Sequence, residues 1–231
     1  MVEGMACSCS IIGDLRWIAT SKLKGSCDLT ELLKQPNLYA IGMPEGLDRE
    51  LLVMDSKAYH SYFDEDLKYH VEEIKDARVA FLGHANVAAW SEHKIPADVV
   101  SFAQLENFIG SQSAALGFKD DVALPVKVVT EAVGLRWFVV GGLGNGFPNP
   151  RDSFLRKKFQ GGLDDCAIEA FGLYSKHHRG DEPDKPMATN PVSFIHMHFR
   201  TTQGKLFIGH LDDNITLKQG GSIFLPKVQG L

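Results

Sequence analysis

Short apolar runs separated by polar turns recur from one end of the chain to the other. The run in SIIGDLRWIA suits a first strand. In CDLTELLKQP the period changes, and Leu29, Leu32 and Leu33 fall on one face of a short helix. Asp28 can cap that helix, Glu31 sits three residues on as in a capping box, and Pro36 stops it. LYAIGM (38–43) and ELLVMD (50–55) read as strands, with SKAYHSYF as the hairpin partner of the second. RVAFLGHANVAAW (78–90) predicts a buried strand running into a loop. In DVVSFAQLENFIGSQS (98–113), Val99, Phe102, Leu105, Phe108 and Ile109 recur at helical spacing and predict an amphipathic helix. PVKVVTEAVGLRWFVVGG (125–142) predicts two strands and DCAIEAFGLYS (165–175) a further one. FIHMHF and KLFIGHL follow as a pair, then NITL and SIFLP. Strands outnumber helices, so the expected class is α+β with mixed and antiparallel β-sheets and few helices.

Two stretches break the pattern. HHRGDEPDKPMATNP (177–191) is polar, holds three prolines and reads as an irregular loop. GGLGNGFPNP (141–150) superficially resembles a phosphate-binding glycine loop. That motif needs a helix opening directly after it, and Phe-Pro-Asn-Pro resists a helix start, so a turn or wide loop is expected.

Composition narrows the function classes. A length of 231 residues fits one large domain or two small ones and can bury a core without staples. The net charge of −5, with no long Lys/Arg run, gives no footing for nucleic acid or an anionic membrane. The N-terminal stretch has no signal-peptide pattern, and no run is long enough for a transmembrane helix. Four cysteines make no disulfide framework, so reduced thiols and a cytoplasmic location are expected. Cys7 and Cys9 have no second pair with which to complete a zinc site and read as residues entering the first strand.

The chemistry concentrates in FIHMHFRTTQGKLFIGHL (194–211). Along a strand His196 and His198 share a face, while Ile195, Met197 and Phe199 take the other. A hairpin centred on Gln203 sets His196 opposite His210, with Cβ atoms about 5 Å apart. Three imidazoles on one patch suit a zinc ion with an open position. The bland reading is a half-buried polar face, and a register slip of one residue would turn His210 away. The third histidine tips the balance to the metal. A cupin would place a glutamate four or five residues after the His-x-His, where Thr202 and Gln203 stand. His84 follows an apolar strand and reads as a satisfied, partly buried residue that could also reach the site. His177 and His178 read as solvated, and His60, His70 and His93 follow no pattern.

These residues resemble the acetolactate decarboxylases. That family carries a strand ending in His-x-His, a glycine-containing turn, then Gly-His, an aliphatic residue and Asp; here stand His196-Met-His198 and Gly209-His210-Leu211-Asp212. SIIGDL, the helix-turn-strand stretch 28–59 with Leu47-Asp48-Arg49-Glu50, the helix at 98–113 and SIFLP match further family features. The resemblance is firm at both ends and loose over 141–190. It implies one acetolactate decarboxylase-like unit over 1–231, in two closely packed subdomains of about 1–125 and 126–231. It implies Zn2+ held by His196, His198 and His210, Glu50 as the acid beside it, and Arg151 as the active-site arginine. It implies decarboxylation of 2-acetolactate or a similar hydroxy-keto acid to acetoin by a homodimer. Three departures stand against it. Met43-Pro44 replace the family's Thr-Phe before the glutamate, the arginine loop is rebuilt, and the chain ends five residues after Leu225-Pro226. They keep open a metal-dependent lyase or hydrolase with another substrate, or a non-catalytic metal- or ligand-binding member.

Overall fold

The strands form two sheets. The computed structural model describes residues 7–16, 25–141, 158–189 and 191–227. The first sheet contains β1 (Ser10–Ile12), β2 (Cys27–Asp28), β3 (Leu38–Pro44), β4 (Glu50–Met54), β5 (Lys57–Phe63), β6 (Tyr69–Ile74) and β7 (Arg78–Asn86). Its order is β1-β7-β3-β4-β5-β6, with β2 also on β7. The second contains β8 (Trp90–Lys94), β9 (Leu124–Val140), β10 (Lys158–Tyr174), β11 (Ile195–Thr201), β12 (Ile208–Leu211), β13 (Thr216–Leu217) and β14 (Ser222–Pro226). Its order is β10-β11-β12-β9-β14-β8, and β9 also pairs with β10, so β9 to β12 close on themselves. Among the described residues every strand pairing is antiparallel. The chain changes sheet between Asn86 and Trp90.

The β4–β5 hairpin turns on Asp55 and Ser56, both in the left-handed region (φ 49° and 62°), the geometry of a two-residue primed turn. The Ser56 hydroxyl donates to the Gln35 carbonyl at 2.8 Å, tying that turn to the end of α1 (Leu29–Leu32) and the chain beyond it. Asp28 caps α1 by accepting the Thr30 N–H, as expected, whereas Glu31 turns outward to Lys34 at 2.5 Å instead of closing a box. The capping box occurs in α2 (Phe102–Ala115), where Ser101 and Gln104 satisfy each other's backbone N–H groups. That cap starts the helix at Phe102 rather than Asp98, although Val99 still joins the core.

Two expectations change. Where two strands were expected over 125–142, Leu124–Val140 form one, because β10 pairs with β9 from Lys158↔Val140 to Tyr174↔Leu124 and carries it past Gly134. For the same reason β10 begins at Lys158, ahead of the expected Asp165. Strands β6 and β8 were not anticipated. The stretch GGLGNGFPNP lies outside the described residues apart from Gly141.

Three apolar layers result. Phe102, Leu105 and Ile109 of α2 pack on Val126, Val128, Ala170, Met197 and Phe199. Tyr39, Ile41, Met43 and Phe81 of the first sheet meet Phe138, Val140, Phe171, Leu173 and Ile208 of the second. Leu29 of α1 covers Leu38, Ala40, Leu51 and Val53 on the far side of the first sheet. The histidines lie on the face of β11 that meets the first sheet.

Candidate metal centre

Strand alternation sorts β11 into two roles. Ile195, Met197 and Phe199 enter the α2 core, and His196 and His198 take the opposite face. The β11–β12 turn centres on Gly204 (φ 69°), so His198, not His196, pairs with His210. The pairing moves by two residues along β11. A two-residue change preserves the face, and His210 stays with the other two.

The three rings converge. Their potential ligand nitrogens all lie within 4.8 Å of one another, the only such cluster among the described residues. Ring centroids are 5.2 Å apart for His196–His198, 4.6 Å for His196–His210 and 5.3 Å for His198–His210. His196 Nδ1 lies 2.8 Å from the Ala188 carbonyl and His198 Nδ1 lies 2.7 Å from the Leu51 carbonyl. A carbonyl only accepts, so both Nδ1 atoms carry the proton and donate, leaving both Nε2 lone pairs free for a metal. Burial pushes His196 down to about 4 and holds His198 and His210 well below the usual imidazole range. The imidazoles are therefore neutral at pH 7, the form that ligates.

Glu50 comes from the other sheet and is 1% exposed. Its Oε1 accepts the Val140 N–H at 3.1 Å, and its Oε2 lies 3.3 Å from His198 Nε2. Burial pushes the carboxyl up to about 8, against the opposing pull of the Val140 N–H and the Lys158 ammonium. The same strand supplies the next residue's carbonyl to His198, so β4 holds both the acid and one imidazole.

His198 Nε2 tests whether the set fits a metal. It is fully buried and has no partner in hydrogen-bond geometry among the described residues; Glu50 Oε2, 3.3 Å away, lies off that geometry. Such an orphan costs about 1–3 kcal/mol and calls for a further partner. Three neutral imidazole nitrogens beside a carboxyl group are a donor set that zinc accepts. The residues fit.

Apolar rings close the surround. Phe81 stacks on His196 at 5.8 Å and Phe138 on His210 at 4.2 Å. The Lys158 ammonium sits 4.1 Å from the centre of the Phe138 ring. No motif marked Lys158, Leu51 or Ala188 as site residues in the sequence. Two of them act through backbone carbonyls, which any residue carries, and Lys158 only opens a strand.

Solved structures share this architecture. Acetolactate decarboxylase from Bacillus subtilis strain 168 superposes with a TM-score of 0.72 at 16% identity, over 94% of this chain and 84% of that one. A Staphylococcus aureus protein of unknown function, similar to alpha-acetolactate decarboxylase, gives 0.69 at 18% identity, over 93% and 83%. The chain has the acetolactate decarboxylase fold. No family model matches its sequence, and no curated protein does.

Within this acetolactate decarboxylase fold the remaining candidates separate from the centre. Arg151 lies outside the described residues. His84 pairs with Ala40 and shares the α1 side of the first sheet, away from the triad; its buried Nδ1 lacks a partner among the described residues, so it is not the satisfied histidine expected. His177 and His178 are half-buried rather than solvated: His177 pairs with Glu182, and His178 Nδ1 is 2.7 Å from the Ser175 hydroxyl. His60 and His70 pair with Glu72 and Asp64 near the edge of the first sheet. All four cysteines are free thiols. Met43 is buried in the layer between the sheets, directly across from Phe81, which stacks on His196.

Proposed function

We propose that the chain is a zinc-dependent carboxy-lyase that converts 2-acetolactate, or a similar hydroxy-keto acid, to acetoin or its analogue. The observation that carries this reading is a buried carboxyl group 3.3 Å from one of three clustered imidazoles. The fold shared with acetolactate decarboxylases supports it.

His196, His198 and His210 would hold the zinc, which when bound supplies Lewis acidity toward the vicinal oxygens of the substrate. The bond from carbon to carboxylate breaks and carbon dioxide leaves. The electron pair remains on the carbon that carried the carboxylate, conjugated with the adjacent carbonyl. That carbon then needs one proton. Glu50, buried beside His198, would relay that proton and recover it from solvent after each turnover. Phe81 and Phe138 exclude water beside the imidazoles. Arg151 is assigned the departing carboxylate, since a guanidinium fork matches its geometry.

A second reading has one specific observation behind it. Met43 buries a thioether beside Phe81, where the resembling family has a hydrogen-bonding threonine. This favours a substrate that is less hydroxylated on that side, or a centre that binds metal without turnover. Incubation of zinc-loaded protein with 2-acetolactate separates the two. Acetoin formed above the spontaneous background supports the decarboxylase, and background-level acetoin with zinc bound refutes it. Arg151→Ala should lower that activity, and an unaltered rate removes Arg151 from the site.

A further inference from the structure

The imidazole of His196 is held by a segment with no regular ladder to fix it. Ala188 lies in the irregular loop between β10 and β11, yet it is fully buried and its carbonyl receives the His196 Nδ1–H at 2.8 Å. What places that carbonyl is the segment following β1. The Asp14 carboxylate accepts the Met187 N–H at 3.2 Å, and the Leu15 N–H donates to the Met187 carbonyl at 3.0 Å. Met187 is thus bridged in both directions, and the next residue is Ala188.

Asp14 is itself fixed. It is only 8% exposed. Arg16 reaches it with Nε at 2.9 Å and Nη2 at 2.6 Å from Oδ2, a two-pronged, charge-assisted contact. The same Nη2 donates to the Lys185 carbonyl at 2.6 Å, so the guanidinium spans the carboxylate and the loop. From the other side the His178 carbonyl accepts the Ala188 N–H at 2.7 Å. The Asp14–Arg16 pair is therefore one residue removed from the carbonyl that holds a candidate metal ligand, although the residues are far apart in sequence.

We propose that Asp14 and Arg16 are positioning residues for His196: they fix the Ala188 carbonyl so that the ring keeps its proton on Nδ1 and offers Nε2 to the metal. This rests on the metal reading above. Partners that orient a ligating imidazole typically change metal affinity by about 10–100-fold when removed.

The test is zinc affinity of the full chain, measured by competition with a chromogenic chelator. Asp14→Ala is expected to weaken zinc by about 10–100-fold. Asp14→Asn keeps an oxygen for the Met187 N–H and should lose less. In a His196→Ala background, Asp14→Ala should add no further loss, because the ring through which it acts is gone. Equal losses in both backgrounds would mean general loosening and overturn the proposal, as would wild-type affinity in Asp14→Ala. If Asp14→Ala does not fold, Asp14→Asn and Arg16→Gln carry the same comparison. A wild-type chain that binds no zinc overturns the metal reading and this inference together; a zinc-binding wild type with an indifferent Asp14 overturns the inference alone.

Discussion

Replacing Glu50 by Gln should stabilise the metal-free protein progressively as pH rises. Glu50 is buried, and its carboxyl moves from an ordinary 4.5 to about 8 on folding. A carboxyl whose folded pKa is raised contributes stability that is fully present below the unfolded pKa and lost as pH rises through the folded one. Between pH 4.5 and about 8 the unfolded chain has released this proton and the folded chain has not. Each pH unit in that window costs the wild type about 1.4 kcal/mol. The deficit is about 3 kcal/mol at pH 7 and approaches about 5 kcal/mol above pH 8, as an order of magnitude. Gln keeps an oxygen for the Val140 N–H but has no proton to release. Urea unfolding of chelator-treated wild type and Glu50→Gln at several pH values measures the difference. Protonation of the histidines affects both proteins alike and largely cancels. The gap should widen from pH 5 to pH 8 and then level off. A gap that does not change with pH would refute the reasoning.

Other predictions follow from the same geometry. The metal-free chain should lose stability as pH falls below 6.5, because His196 protonates readily when unfolded but only near 4 when folded. His198 and His210 shift the same way, so His210→Ala should flatten the acid limb of a urea-midpoint profile, and an unchanged limb would count against buried neutral rings. Gly172→Ala would place a Cβ 2.0 Å from the His196 carbonyl oxygen and 2.8 Å from Met197 Cα. Relieving that backbone clash should cost about 1–3 kcal/mol and weaken zinc binding, read by unfolding midpoint and metal content. Ser101→Ala, which opens the α2 capping box, should cost about 1 kcal/mol and leave zinc content unchanged, since the helix lies on the opposite face of β11.

The local elements were legible where one physical signal acted alone. Continuous apolar runs gave β3 and β4, which are buried along their whole length, and the 3.6-residue period gave α2, which buries one face. The two strands expected over 125–142 are one because a seventeen-residue partner, β10, pairs along nearly its whole length, a long-range pairing that leaves no local mark. Strands β6 and β8 are half-exposed and mixed in character, with little periodicity to read. At the site, the shared face of His196 and His198 followed from a two-residue spacing, and His210 joined them despite a turn centred on Gly204 rather than Gln203. Glu50 was visible only through the family resemblance. Its burial and its contact with His198 depend on β4 packing against the second sheet, a long-range event that leaves no mark near Glu50 in the sequence. The carbonyls of Leu51 and Ala188 were hidden for a plainer reason, since a backbone acceptor has no residue signature.

The proposed function depends on zinc held by His196, His198 and His210. The most direct measurement is the zinc bound per chain after equilibration with zinc and removal of the free ion. Wild type and the His196→Ala/His198→Ala double variant should be compared side by side. About one tightly held zinc is expected per wild-type chain, since three imidazoles on one patch make a single site with an open position. None is expected in the double variant. Equal zinc in the two proteins would contradict it.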